Sequence, residues 1–166
     1  MHQVADHLRN RATSLADDPA ADLFARSAFN RYYYAAYLLV RATLFELEGH
    51  RATNHASLPQ HLNGDFRRTV LRRVERAFRS NWLSAQRHGQ LRHKTLDAVT
   101  NLSQMLIDAY SVRIVADYEI EIKAAFSNTS ITLHGCKDSE AAHWHRKAGM
   151  YCKALREVWN DTERLQ

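Results

Sequence analysis

Ser27-Ala28-Phe29-Asn30-Arg31-Tyr32-Tyr33-Tyr34-Ala35-Ala36-Tyr37-Leu38-Leu39-Val40 is apolar or aromatic around almost its whole circumference. A helix of that kind is buried on all sides, not along one stripe. Four tyrosines fall within residues 32–37. Each buried phenol needs a hydrogen-bond partner, so the run predicts an internal polar network or a paired surface. Arg31 sits inside it, and a guanidinium is costly to bury unless a counter-charge answers it.

The flanks set the limits of this central helix. Upstream, Asp17-Asp18-Pro19 places Asp18 as N-cap and Pro19 at the first helical position. Downstream, Gly49 follows Glu48 as a C-terminal cap. Roughly 30 residues make a rod of about 45 Å, long enough to admit a kink near Ser27–Asn30. Before it, a first helix is predicted from Gln3 to Leu15. After it, Arg51 to Asn63 reads as a loop with a short helix capped by Asn54 or Ser57.

Asp65 to Ser80 has helical periodicity, with Phe66, Val70, Val74, Ala77 and Phe78 on one face and Arg68, Arg72, Arg76 and Arg79 on the other. Asn81 to Lys94, which contains Gly89, reads as a connector. A further long helix is predicted from Thr95 to about Lys123, with Leu96, Val99, Leu102, Leu106 and Ala109 along its core stripe. Ser127 to Lys137, rich in Ser and Thr, is expected to be irregular. Asp138 should then cap a last helix running to about Arg164. The expected fold is an all-α antiparallel bundle of four to six helices in a single domain, residues 1–166. The scarcity of Gly (five) and Pro (two) agrees with it.

Composition narrows the function classes. Two cysteines, Cys136 and Cys152, make no disulfide framework and imply a reducing, cytoplasmic setting. The N-terminus lacks the pattern of a signal peptide. The longest apolar run is interrupted by Arg41, well short of the roughly 20 residues that span a bilayer, so no membrane association is expected. His134, Cys136, His143, His145 and Cys152 superficially suggest zinc. On a helix, however, His143 and His145 point about 200° apart, and no metal or cofactor is expected. The charge is uneven. Residues 67–94 hold nine Lys/Arg against one acid, a local +8, and the other 14 basic and 17 acidic residues leave the remainder at −3.

Three stretches together resemble the signatures of HEPN domains. Asn30-Arg31-Tyr32-Tyr33-Tyr34-Ala35-Ala36-Tyr37 is similar to that family's Arg-x-Tyr-Tyr-Ala-Ala-Phe-His helix. Ala52-Thr53-Asn54-His55-Ala56-Ser57-Leu58 resembles its Thr-His-x-x-Leu/Val step, and Tyr110-Ser111-Val112-Arg113-Ile114-Val115-Ala116-Asp117-Tyr118 its Arg-x-x-Ala-Asp-Tyr signature. The resemblance implies a helical bundle, usually a homodimer, with RNA-related function. Active members are metal-independent endoribonucleases that serve as toxins or defence effectors, often partnered by a minimal nucleotidyltransferase antitoxin; other members only bind RNA. In active members an Arg-x(4–6)-His motif holds the scissile phosphate and moves its protons. Here the position where many relatives place histidine is Leu38, which cannot transfer a proton.

The candidate site residues follow from these patterns. The one Arg-x(4–6)-His pair is Arg87 and His93, a spacing that chance alone produces in a chain with 10 histidines. Arg31, Arg113 and Asp117 form either a phosphate-facing cleft or an internal network joined to a central tyrosine, with Arg31 meeting Asp117 across the bundle. His55 is either a capping residue or the imidazole that replaces the missing one. Arg68, Arg72, Arg76 and Arg79, with Arg92 and Lys94, form either a solvated face or a phosphate-binding strip. Trp82 and Phe78 beside them either pack or stack on bases. Two functions fit: an RNA-associated HEPN-like protein, as endoribonuclease or as catalytically degenerate binder, and a non-enzymatic assembly protein that docks a partner such as a nucleotidyltransferase.

Overall fold

Asp18 and Gly49 bracket the central helix as the sequence predicts. In the computed structural model, which describes residues 1–16, 18–49, 54–127 and 130–163, helix α2 (Ala20–Glu48) is unbroken. Asp18 Oδ1 accepts the Ala20 N–H at 2.7 Å, the bond an N-cap makes. Gly49 takes φ +71°, and its N–H returns to the Phe45 carbonyl at 2.9 Å. Asp17 lies outside the described residues. Helix α1 (His2–Ser14) precedes α2.

The expected all-α bundle is what the chain forms, with 80% of the described residues helical. Helix α3 (Ser57–His61), a π-turn (Leu62–Phe66) and α4 (Arg67–Arg79) follow one another without interruption. The short helix expected between Arg51 and Asn63 is present as α3, and helical winding continues from it through the π-turn into α4. Asn54 does cap α3, accepting the Ser57 N–H at 2.7 Å; residues 51–53 of the expected loop lie outside the described residues.

The connector expected over residues 81–94 is a correction. Only Asn81–Ser84 turn, and α5 (Ala85–Tyr118) begins ten residues before the predicted Thr95. Ser84 Oγ accepts the Arg87 N–H at 3.2 Å and caps the new start. Gly89 lies inside the helix at an exposed position, where it costs about 1 kcal/mol relative to Ala. Burial of Leu91, Thr95, Ala98 and Leu102 along one face outweighs that.

A small antiparallel sheet replaces the irregular stretch expected over residues 127–137. Strands β1 (Ala125–Phe126), β2 (Ile131–Leu133) and β3 (Cys136–Lys137) lie in that order. His134 and Gly135 both take positive φ (49° and 76°), as a two-residue hairpin turn between paired Leu133 and Cys136 requires. Helix α6 (Asp138–Glu163) ends the described chain. The Asp138 carboxylate, expected to cap this helix, accepts the Ile131 N–H at 3.2 Å and faces Arg9 Nη1 at 3.4 Å. It ties β2 and α1 together.

The Cα packing divides the chain into two compact units. One comprises Met1–Leu38 and Leu106–Lys147, the other Leu39–Met105 and Ala148–Gln166. Helices α2, α5 and α6 run through both. The first unit buries Phe29, Tyr32, Tyr33, Val112, Val115, Leu133 and Trp144; the second buries Leu44, Leu58, Leu62, Phe66, Val70, Leu102 and Trp159. Each such side chain contributes about 1.5–3 kcal/mol when fully removed from water. Phe66 and Trp159 stack in parallel at 6.3 Å.

Candidate functional site

The two strongest sequence signatures meet in the first unit. Asn30 Nδ2, from α2, donates to Asp117 Oδ1 on α5. Arg113 Nη2 pairs with Asp117 Oδ2 at 2.9 Å and lies 3.5 Å from the Tyr34 hydroxyl. Its guanidinium carbon sits 5.2 Å from the centre of the Tyr118 ring. Around it, Tyr33 lies against Tyr34, Tyr37 and Tyr110 at ring separations of 5.5, 5.8 and 5.9 Å.

Arginine placed before aspartate at this spacing is a poor order for helix support alone. The pair holds because Asn30 and Tyr34 approach it from the neighbouring helix. Burial works against the Arg113 charge, but the Tyr34 hydroxyl and the Asp117 carboxylate more than offset it and raise its pKa. Burial also drives the Tyr33 phenol far above its ordinary range, so it stays protonated. The groups that meet at this point are phenols, a carboxylate, a carboxamide and a guanidinium, with no imidazole among them. Leu38 continues the same helix. These contacts join α2 to α5.

Arg31 is a correction. It is exposed and makes no hydrogen bond or ion pair among the described residues, so its neighbour Asn30 meets Asp117 instead. The buried arginine of α2 is Arg26, only 5% exposed. Its Nε and Nη2 donate to the carbonyls of Ala116 (3.0 Å) and Val115 (2.6 Å), and its Nη1 to that of Ile122 (2.7 Å). These are carbonyls at and beyond the C-terminal end of α5, where a cation is favoured by the helix dipole. Arg26 thus helps end α5 at Tyr118, short of the predicted Lys123. The available signal was spacing: Arg26 lies three residues before Phe29 and seven before Tyr33, on their face.

The second unit carries the basic strip. Arg68, Arg72, Arg76 and Arg79 are all exposed on α4, opposite buried Val70, Val74 and Ala77. Arg68 pairs with Asp65, and Arg79 Nε donates to Glu75 at 3.0 Å. Arg72 makes only a 3.3 Å bond to the Arg68 carbonyl, and Arg76 makes no ion pair among the described residues. Arg73 turns inward, 4.0 Å over the Trp159 ring, where desolvation lowers its pKa. Phe78 stacks on His88 at 4.4 Å, whereas Trp82 is 59% exposed.

Arg87 and His93 lie on α5, six residues apart and so on different faces, about 240° around the helix. Both border an open depression of about 550 Å³. Arg87 is occupied by Asp161 and by Gln90 at 3.2 Å, Lys94 by Glu157, while His93 and Arg92 are exposed. His55 belongs to the second unit, half-buried just before α3; Thr53 of the same motif lies outside the described residues.

Burial pushes the Cys136 thiol up to about 12 and raises that of Cys152 as well. Among the described residues no three His, Cys, Asp or Glu side chains gather as metal ligands, and no helix is long and apolar enough to cross a membrane. No family model, curated protein or solved structure matches this chain.

Proposed function

We propose that the protein binds RNA as a catalytically degenerate, HEPN-like chain. The observation that carries this reading is the exposed α4 strip, in which Arg72 and Arg76 form no salt bridge among the described residues while Arg68 and Arg79 form one each. Guanidiniums left unanswered on a surface are available to phosphates and release counterions on binding. The resemblance at Asn30–Tyr37 and Tyr110–Tyr118 supplies the family context, and the contacts among Asn30, Tyr34, Arg113 and Asp117 fit a scaffold use of those motifs. Leu38 argues against proton transfer at the usual position. The resemblance extends this reading to a homodimer and to docking of a minimal nucleotidyltransferase.

The test is RNA binding by the purified protein at low salt, with wild type beside Arg72→Glu/Arg76→Glu. Loss of two phosphate contacts should lower the slope of log affinity against log salt by about 1.4 for a single strand. Unchanged binding in the double variant would sink the strip. If instead the variant loses co-purification with a partner protein and wild type never bound RNA, the strip serves an acidic protein surface. Incubation without metal should leave RNA intact. Products with 2′,3′-cyclic phosphate ends, abolished in His55→Ala or His93→Ala, would overturn the non-catalytic assignment.

A further inference from the structure

The end of α4 has an unusual distribution of apolar surface. Asn81 takes φ +60°, a left-handed conformation that Asn adopts more readily than most residues. Its N–H bonds the Phe78 carbonyl and the Trp82 N–H bonds the Ala77 carbonyl, both at 3.0 Å. This is the paired 6→1 and 5→2 arrangement of a Schellman motif. In that motif the residue at the position of Trp82 commonly folds its side chain back onto the helix. Here it does not: the indole is 59% exposed. Phe78 takes the inward role, stacking on His88, which is itself 3.1 Å from Glu75. The backbone beneath Trp82 is fixed by hydrogen bonds, while its ring is left to solvent at the end of a row of guanidiniums.

We infer that the α4 face is a single-strand site, in which Arg68, Arg72, Arg76 and Arg79 track the phosphates and Trp82 stacks on an unpaired base. The inference rests on the RNA-binding reading above and names its substrate class. The row from Arg68 to Arg79 spans about 16 Å along the helix, long enough to follow several consecutive phosphates of one strand. A duplex offers phosphates to the same row but keeps its bases stacked inside, so it gives Trp82 nothing. A single strand presents aromatic faces, and stacking tolerates any base. The site therefore selects strandedness without selecting sequence.

The chain provides its own reporter. Of its three tryptophans, Trp144 and Trp159 are buried, at 4% and 8% exposure, and Trp82 alone is open. Titrating the full chain with a 12-nucleotide single-stranded RNA should quench the exposed tryptophan's emission, and a 12-base-pair RNA duplex at the same salt should not. Trp82→Ala should weaken single-strand binding about tenfold and leave duplex binding unchanged, and Trp82→Phe should restore most of the loss. Helical circular dichroism identical to wild type checks that the variants fold. Equal loss for both RNAs, or no loss for the single strand, would overturn the stacking role while leaving RNA binding intact. Failure of wild type to bind either RNA would overturn the RNA-binding reading and this inference with it.

Discussion

Arginines stand in two contrasting environments in this molecule. In the first unit Arg26 donates to three carbonyls and Arg113 is held by a carboxylate and a phenol. In the second, Arg72 and Arg76 lie exposed along α4 and form no salt bridge among the described residues. The guanidinium is chemically the same in each case. What differs is the surroundings: Arg26 and Arg113 face carbonyls, a carboxylate and a phenol inside the fold, although the buried Arg113 Nε has no partner among the described residues, whereas Arg72 and Arg76 face solvent.

That contrast can be broken by measuring stability and RNA affinity on the same variants. Arg26→Met should have the largest effect on stability, about 3–5 kcal/mol by urea unfolding, because charge-assisted bonds to buried carbonyls are lost together. A loss below about 1 kcal/mol would remove Arg26 from the architecture. Arg113→Met should cost about 1–3 kcal/mol, leaving Asp117 bonded to Asn30, with RNA affinity unchanged. If affinity falls while stability holds, Arg113 belongs to the binding surface and the comparison fails. Arg76→Ala should change stability by no more than about 0.5 kcal/mol, as an exposed substitution away from any packed feature does.

The smallest effect concerns pH. Arg156 holds Glu46 with hydrogen bonds at 2.7–3.0 Å and lowers its carboxyl pKa from 4.5. A folded-state pKa below the unfolded one means the contribution is present above pH 4.5 and is lost as pH falls through the lowered value. Unfolding followed between pH 6 and pH 3 should therefore show a slightly shallower acid decline in Glu46→Gln than in wild type. The Glu46 side chain is half exposed, so solvent screens much of the effect. An identical decline in both proteins would show that this pair adds nothing.

Much of the fold was legible because its signals are local. Asp18, Asn54 and Gly49 each act on backbone within a few residues, and the α4 stripe of Val70, Val74 and Ala77 is simple periodicity. Gly89 favours a break by intrinsic propensity, and the burial of Leu91 and Thr95 around it overrides that preference. The sheet was missed because strands of two and three residues are too short to show alternation. At the candidate site, Arg113 and Asp117 stood out as charges on an apolar stripe. Choosing between Asn30 and Arg31 as the partner of Asp117 required the rotation of α2, and a difference of one residue, about 100°, decided it. Arg26 was overlooked because its acceptors are carbonyls, which carry no sequence signature.

The π-turn at Leu62–Phe66 has a consequence for the phase of the helix that carries the arginines. Leu58, Leu62, Phe66, Val70 and Val74 are buried at strict intervals of four. In an uninterrupted α-helix each such interval overshoots a full turn by about 40°, so the last would point about 160° away from the first. The π-turn winds its residues more loosely and takes back part of that drift. Removing one residue at exposed Asn63 while keeping the flanks would relax the bulge to regular winding and preserve the inward direction on both sides. Adding or deleting a residue beyond Phe66 has no such buffer and would rotate the arginine row toward the core. The tolerance of this segment to length change is confined to a single turn.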